Sequence, residues 1–333
     1  IVRSFGFIKF IFLAYAFRLL VKDKNILDNI IRNWLIIISI IIIDVLFEKK
    51  FGHNILGNIS PDTTRIVSFF RDELVVGGLI LCFGFLIATY FLDKKLDFKS
   101  KAFLNFFLVF IPLSIFISGE RSNFIKSFFI FSFIIFLIDK NKLLVNKKIF
   151  SMFFILTLFL SIFLSEKIRI KQTEVFKRIF VVKNSDKFID RFQNIKYFSH
   201  YDVSIKIFKD FPITGVSSKN FRHFCHDKKY FEENIKFSIT RCNTHPHQIH
   251  FELLSEHGLV GYLLLFYFFF IFFKKNLAAV KLSNNIFHYT AIIYLIVFFI
   301  PLLPGGAIFS TFNGSLFWIV FSVANLNFNK KLY

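Results

Sequence analysis

The sequence predicts an all-α, polytopic transmembrane helical bundle with one large external loop domain. Two observations predict this class: 55% of the 333 residues are hydrophobic, and apolar stretches of membrane-spanning length follow one another along the chain. Soluble chains average roughly 45–50% apolar and about 25% charged residues, whereas charged residues make up only 19% of this chain. The composition therefore excludes a disordered chain, a collagen, a small disulfide scaffold and a simple soluble enzyme.

Nine segments are candidate membrane spans, because each is mostly apolar over close to the ~20 residues that a helix needs to cross a bilayer. They run over about 4–21, 32–47, 74–92, 102–118, 124–138, 149–165, 259–273, 286–303 and 307–324. Segments 124–138 and 259–273 are short, so Lys126 or Lys274 must extend toward the headgroups. Transmembrane β-strands would be about ten residues long and alternating, so these lengths indicate helices.

Lysine-rich connections orient the bundle. In a nine-span topology these connections all fall on one side, and they contain Lys94, Lys95, Lys99, Lys101, Lys140, Lys142, Lys147, Lys148, Lys274, Lys275, Lys281, Lys330 and Lys331. The positive-inside rule makes that side cytoplasmic and the alternate connections external. The formal net charge of +20 is then explained by topology, and we predict no nucleic-acid partner.

The predicted organisation has three parts. Residues 1–165 hold about six spans, 166–258 form an external, periplasmic loop domain, and 259–333 hold about three spans and a short cytoplasmic tail. The chain begins at Ile1 rather than Met, and its first residue falls on the external side. We therefore expect it to be truncated at its N-terminus, with an odd number of spans preceding it if the native N-terminus is cytoplasmic.

The external loop is the part with enough polar residues to fold in water. Its length far exceeds the usual connection of about 4–6 residues, and loops that long are commonly functional. The pattern predicts a helix around 198–210, ended by Pro212, with a turn at Gly215.

Two of the three cysteines, Cys225 and Cys242, lie in this loop, and Cys82 lies in a predicted span. An external pair in an oxidising compartment is a disulfide candidate, worth about 3 kcal/mol in the chain-entropy model. The alternative is two free thiols that never meet. Cys82 is predicted to be a core residue.

The densest polar cluster occupies 244–258, which reads Thr-His-Pro-His-Gln-Ile-His-Phe-Glu-Leu-Leu-Ser-Glu-His-Gly. If a helix begins near Pro246, four residues share one face of it. They are His247, His250, Leu254 and His257. Gly258 suits a break before the next span.

Three interpretations of this cluster remain open at the sequence level. The first is a polar helix at the membrane interface. The second is a metal site that uses His245, His247, His250 and Glu252, although their spacing fits no standard zinc pattern. The third is a catalytic base, because a neutral imidazole can take a proton from an attacking hydroxyl near pH 7.

Four arginines share the external side of the predicted topology: Arg71, Arg121, Arg191 and Arg222. The ordinary role of a membrane-edge arginine is contact with lipid headgroups. Arg121 departs from that role most clearly, because it lies in a very short turn between two spans. Converging arginines would suit a phosphate or pyrophosphate, whose oxygens the guanidinium binds bidentately.

Three stretches together resemble the O-antigen ligase/polymerase family. They read Ser118-Gly119-Glu120-Arg121, Phe211-Pro212-Ile213-Thr214-Gly215-Val216, and His245-Pro246-His247-Gln248 continuing to Glu256-His257-Gly258-Leu259-Val260-Gly261. The upstream stretch 69–78 is also similar, so the resemblance covers about 65–325. Gln248 stands where the family often has Asn, and His257 replaces a usually small or polar residue.

The resemblance implies an inverting glycosyltransferase of the bacterial inner membrane with a periplasmic active face. Its donor would be a glycan on undecaprenyl pyrophosphate and its acceptor lipid A-core or another glycan, with no metal or other cofactor. His247 would be the catalytic base, and Arg121 would contact the pyrophosphate with Arg222, Arg191 and Arg71 as weaker candidates. His245, Gln248 and Glu256 would support the helix.

Within that family, ligation to lipid A-core in lipopolysaccharide assembly and polymerisation of repeat units remain alternatives. A polysaccharide or lipid transporter is the alternative from another class. A transporter would need charged residues within spans and internal repeats. The spans here are nearly charge-free apart from edge positions such as Arg18 and Asp44, and no repeat is visible.

Overall fold

The computed structural model describes residues 7–21, 23–62, 64–71, 73–94, 96–138, 143, 147–163, 196–231, 233, 238–283 and 285–326. Throughout these residues the regular secondary structure is helical, which confirms the predicted all-α class. The helices are α1 (Ile8–Leu20), α2 (Lys24–Phe51), α3 (Val76–Leu92), α4 (Phe98–Ile117), α5 (Arg121–Leu137), α6 (Lys147–Phe163), α7 (Lys196–Asp210), α8 (Phe221–Phe224), α9 (Ile249–Ser283), α10 (Ile286–Phe298) and α11 (Thr311–Ala324). Short 3-10 turns occur at Ser68–Phe70, Lys228–Tyr230 and Ser238–Thr240.

Each predicted span coincides with one of these helices, namely α1–α6 and α9–α11. Among the described residues, three helical stretches are long and apolar enough to cross a membrane: Lys24–Phe51, Phe98–Ile117 and Ile249–Ala278. Shorter apolar helices occupy Val76–Leu92, Ile286–Phe298 and Thr311–Ala324. The chain thus has several helices that could span a membrane, while the number of spans and their orientation stay predictions.

The chain divides into two compact units. The loop unit comprises Ile1–Leu13, Thr173–Lys275 and Phe299–Ser315. The helical unit comprises Ala14–Gln172, Asn276–Phe298 and Leu316–Tyr333. The loop unit therefore combines most of the predicted external segment with two stretches that are distant in sequence.

Helix α3 forms the centre of the helical unit. It packs against α2, α4, α5 and α10, and 13 of its 17 residues are buried, including Cys82. A helix that is apolar all round is stable when neighbours surround it. Helix α2 instead leaves an isoleucine face exposed, at Ile36, Ile37, Ile40 and Ile43, which is the kind of surface that lipid covers.

The loop unit has a small hydrophobic core of its own. Helix α7, which confirms the predicted helix at 198–210, contributes Val203 and Ile207. The remaining buried members of the cluster are Val216, Phe221, Cys225 and Tyr230. Tyr201 of α7 also stacks on Phe251 of α9 with ring centroids 4.6 Å apart. These contacts fix α7 against the start of α9.

Cys225 and Cys242 are joined in a disulfide, with their Cα atoms 5.3 Å apart. This separation lies within the roughly 4.4–6.8 Å usual for disulfides. Cys225, His226 and Cys242 form a group of close potential metal ligands among the described residues. Because a metal binds cysteine as the thiolate, sulfurs bonded to each other do not supply that ligand.

Candidate functional site

Two glycines allow the Pro-Ile-Thr-Gly-Val segment, residues 212–216, to pack closely against α9. Gly215 and Gly258 both have left-handed backbones, with φ of 65° and 62°. A Cβ on Gly258 would come within 2.3 Å of the Ile213 carbonyl oxygen, and one on Gly215 within 2.4 Å of the Glu256 carbonyl carbon. The two segments therefore touch backbone to backbone, which only glycine permits.

Main-chain hydrogen bonds hold this junction. The Val216 N–H donates to the Ser255 carbonyl over 3.0 Å, and the Leu259 N–H donates to the Pro212 carbonyl over 2.8 Å. Gly258, whose ψ is −167°, interrupts the helical backbone of α9, as the sequence predicted for a break before the next span. The donors and acceptors freed by that break are satisfied by the docked segment.

Glu256 holds the loop that leads to Arg222. Its buried carboxylate accepts the N–H of Lys219 over 2.7 Å and that of Phe221 over 3.2 Å. Ser217 and Lys219 have positive φ values of 74° and 60°, so this loop follows a sharply turning path that the carboxylate stabilises. Glu256 therefore shapes the segment that precedes Arg222, while its predicted support of the helix stays a prediction.

The helix at the histidine cluster begins later than the sequence indicated. We expected a start near Pro246, but α9 begins at Ile249. The Gln248 side chain accepts the N–H groups of His250 and Phe251 over 2.8 and 3.2 Å, which makes Gln248 the N-terminal cap. The predicted face shared by His247 and His250 was therefore wrong, because His247 precedes the helix.

His247 adopts a left-handed conformation with φ of 62°. Such a conformation is uncommon for non-glycine residues, costs on the order of 1–3 kcal/mol and is concentrated at functional sites. Its carbonyl accepts the Gly305 N–H over 2.6 Å, while His245 Nε2 donates to the Gly305 carbonyl over 3.2 Å. Two hydrogen bonds to a single glycine thus hold the backbone between His245 and His247.

Three aromatic rings surround the His247 imidazole. The ring centroid of His245 lies 4.2 Å away, and those of Tyr197 and His200 each lie 5.4 Å away. His200 is buried, and its Nδ1 is 2.9 Å from the Arg241 carbonyl. Since Tyr197 and His200 are three residues apart on α7, one face of that helix supplies both rings.

His245 is held as a neutral imidazole. Its Nδ1 lies 3.0 Å from the Thr244 hydroxyl, which donates to it when Nε2 donates to Gly305. Burial lowers the pKa of His245 to about 4, which outweighs the opposite effect of its hydrogen bond to Gly305, and the charge of the nearby Arg222 acts in the same direction as burial. His245 is consequently uncharged near pH 7, and its ring packs beside that of His247.

A cavity of about 250 Å³ lies beside these histidines. Its walls combine cationic, anionic and neutral polar side chains, notably Lys219, Arg222, Thr244, His245, Glu252 and Glu256. The remaining wall comes from the segment 307–313. The cavity and the residues that line it belong to the loop unit.

His250 does not join the other histidines as a ligand. Its Nδ1 lies 3.0 Å from the Tyr262 hydroxyl, and its Nε2 lies 2.8 Å from the Phe299 carbonyl. Both ring nitrogens are thus engaged in hydrogen bonds. This geometry disfavours the metal interpretation, which needed His250 together with His245 and His247.

The predicted arginines fall into three groups. Arg222 lines the cavity of the loop unit. Arg121 and Arg71 belong to the helical unit, where Arg121 is the first residue of α5 and Arg71 is exposed with φ of 55°. Arg191 lies outside the described residues. The role of each as a pyrophosphate contact stays a prediction.

The turn before Arg121 is tightly held. Gly119 has φ of 81°, and the buried Glu120 carboxylate accepts the Gly77 N–H and the Asn123 side-chain amide, each over 2.6 Å. A Cβ on Gly77 would lie 2.8 Å from the Glu120 carboxyl carbon. The turn therefore fixes where Arg121 begins its helix.

Sequence reasoning assigned no role to several residues of this region: Tyr197, His200, Lys219 and, outside the metal interpretation, Glu252. One signal was available, because Glu252 and Glu256 are four residues apart and therefore share a helix face. Two carboxylates on one face beside a membrane span need partners. Nothing in the local sequence indicated that α7 would bring its rings to His247.

Part of the chain matches a model of a known protein family. Residues 106–266 match the family model described as O-Antigen ligase. The matched range contains Arg121, Arg222 and His247, whereas Arg71 precedes it. No curated protein matches the chain.

Proposed function

We propose that the chain is an inverting glycosyltransferase that ligates O-antigen, and the match of residues 106–266 to the O-Antigen ligase family model supports this proposal. The donor is a glycan on undecaprenyl pyrophosphate, and the acceptor is a sugar of lipid A-core. The reaction takes place at the periplasmic face of the bacterial inner membrane. Neither a metal nor another cofactor is part of the proposal.

His247 acts as the general base in this proposal. The observation that carries it is the strained backbone of His247, held by Gly305 beside the rings of His245, His200 and Tyr197. A positioned base takes the proton from the acceptor hydroxyl, and the oxygen then attacks the anomeric carbon. The carbon–oxygen bond to the pyrophosphate breaks on the opposite face, so the configuration inverts.

Arginines stabilise the negative charge that develops on the leaving pyrophosphate. Arg222 is the candidate within the loop unit, and Arg121 is the candidate that the family resemblance favours. Arg71 and Arg191 are secondary candidates. Because a guanidinium is charged at every working pH and binds oxygens in pairs, an arginine serves this role better than a lysine.

The test is replacement of His247 with Ala in cells that lack their own ligase. Since a positioned base contributes typically 10²–10⁴-fold, we expect glycan attachment to lipid A-core to fall at least 100-fold. The matched control is His223→Ala, which removes an exposed histidine of the same unit. Full activity of His247→Ala at a normal membrane level of protein would refute the assignment.

A second strain distinguishes ligation from polymerisation. Cells that lack polymerase make single-repeat chains, whereas cells that lack ligase accumulate unattached lipid-linked polymer. Restoration of attached polymer in the ligase-deficient strain alone supports the ligase proposal. Restoration of long chains in the polymerase-deficient strain alone replaces it with the polymerase function.

A further inference from the structure

Two ionisable side chains in the cavity wall each have a buried atom without a hydrogen-bond partner among the described residues. They are Oε2 of Glu252 and Nε of Arg222. Glu252 is only 2% exposed, and both residues line the 250 Å³ cavity. An acceptor atom and a donor atom without partners thus belong to residues that line the same cavity.

Two other buried glutamates among the described residues have both carboxylate oxygens satisfied. Both oxygens of the buried Glu256 accept backbone N–H groups, and both oxygens of the buried Glu48 accept the N–H groups of Val67 and Ser68. Leaving a buried polar group unsatisfied costs free energy, and each such group in a native structure needs an explanation. A ligand that supplies the missing partners is such an explanation.

We propose that this cavity binds one sugar ring of the transfer reaction through its hydroxyl groups. Glu252 accepts a hydrogen bond from one hydroxyl, and Arg222 donates its Nε–H to a sugar oxygen. The inference rests on the proposed function, since it concerns a substrate of that reaction. It adds a substrate-binding role for Glu252 and a specific donor atom of Arg222.

The chemistry of the wall favours a sugar over a phosphate. An ionised phosphate accepts hydrogen bonds but donates none, whereas a sugar hydroxyl can donate to Oε2 of Glu252 and accept from Nε of Arg222. The volume of the cavity suits a single sugar ring, because it is smaller than the roughly 300–1,000 Å³ of sites for drug-sized ligands. Arg222 has five N–H donors, so Nε can bind sugar while the other donors face a pyrophosphate.

The position of the cavity links it to the proposed base. His245 lines the cavity, and its ring centroid is 4.2 Å from that of His247. A sugar bound in the cavity would therefore lie beside His245, the residue whose ring packs against that of His247. Both the acceptor sugar and the first donor sugar have the required hydroxyls, so kinetics must distinguish these two sources.

The experiment measures transfer in membrane vesicles that contain the full chain. The donor is lipid-linked glycan extracted from ligase-deficient cells, and the acceptor is purified lipid A-core. Each is varied in turn for the wild type, Glu252→Gln and Arg222→Lys. Glu252→Gln keeps the side-chain size while one acceptor oxygen becomes an NH₂ group, and Arg222→Lys removes the Nε–H donor but keeps the charge.

We expect both variants to raise the half-saturating concentration of the same substrate by about tenfold or more, which is the effect of losing a hydrogen bond to a charged group. The maximal rate should change less than about threefold. A rise for lipid A-core alone assigns the cavity to the acceptor, and a rise for the donor alone assigns it to the donor sugar. Unchanged half-saturation for both substrates, or a different substrate affected by each variant, overturns the proposal.

Two controls separate this inference from its premise. Glu233→Gln makes the same chemical change at an exposed position of the loop unit and should leave both concentrations unchanged. If Glu252→Gln lowers the thermal unfolding midpoint markedly, Arg222→Lys alone decides the result. An inactive wild-type protein refutes the proposed function, whereas an active wild type with unaltered Arg222→Lys and Glu252→Gln kinetics refutes this inference only.

Discussion

Each of the two units uses a buried glutamate to fix the backbone next to an arginine. In the loop unit, Glu256 accepts the Phe221 N–H, directly before Arg222. In the helical unit, Glu120 directly precedes Arg121 and accepts the Gly77 N–H from 43 residues away. A glycine with a left-handed backbone accompanies each glutamate. Gly215 packs against the backbone of Glu256, and Gly119 directly precedes Glu120 in the sequence.

The two glutamates differ in what satisfies their second oxygen. Glu256 takes both hydrogen bonds from backbone N–H groups, those of Lys219 and Phe221. Glu120 takes one from a backbone N–H and one from the Asn123 side chain. A backbone N–H can only donate, whereas a side-chain amide can rotate and present its oxygen. We therefore expect substitution of Glu256 to lower the free energy of unfolding more than substitution of Glu120.

The largest effect is expected at the glycine junction of the loop unit. Gly258→Ala would bring a Cβ to 2.3 Å of the Ile213 carbonyl at a positive φ, so we expect a loss of about 3–5 kcal/mol in the free energy of unfolding. The measurement is the unfolding midpoint of the purified protein in detergent. Gly57→Ala is the control, because Gly57 has φ of 84° but nothing within 4 Å of an added Cβ. Equal effects of the two changes would contradict the close approach at Gly258.

A smaller loss of stability is expected when Glu256 or Glu120 is replaced with glutamine, and it should differ between the two residues. Glu256→Gln places an NH₂ group against a backbone N–H, so we expect a loss of about 1–3 kcal/mol in the free energy of unfolding. Glu120→Gln should cost less than about 1 kcal/mol, since rotation of the Asn123 amide restores the hydrogen bond. The same thermal unfolding measurement ranks the two variants. A larger loss for Glu120→Gln would reverse the comparison.

The remaining effect is a pH dependence of the free energy of unfolding that originates at His245. Its pKa in the folded protein is about 4, below the roughly 6.5 of an exposed histidine, so between these values the unfolded chain binds the extra proton. The contribution of His245 to stability is therefore complete above pH 6.5 and decreases as the pH falls toward 4, by about 2 kcal/mol at pH 5. Unfolding midpoints of the wild type and His245→Gln at pH 7.5 and pH 5 test this. His245→Gln should show the weaker pH dependence, and equal dependences would assign the effect to other groups.

The positions of the helices were accessible from the sequence, because each apolar run is a local property of consecutive residues. The turn at Gly215 and the break at Gly258 were also predicted. The start of α9 was misplaced because Pro246 is a strong local signal, whereas the cap that Gln248 provides depends on the orientation of its side chain. The pairing of Cys225 with Cys242 was left open, since spacing alone carries no geometry.

The sequence by itself determined the membrane class, the helical elements and the residues that resemble a glycan ligase, because hydropathy and motif order are read along the chain. The tertiary structure decided which polar groups meet. It brought Tyr197 and His200 to the ring of His247, docked Gly215 on the backbone of Glu256, and left Glu252 and Arg222 unsatisfied beside a cavity. Such contacts join residues tens of positions apart, and their energies depend on distance and burial, which only the folded chain defines.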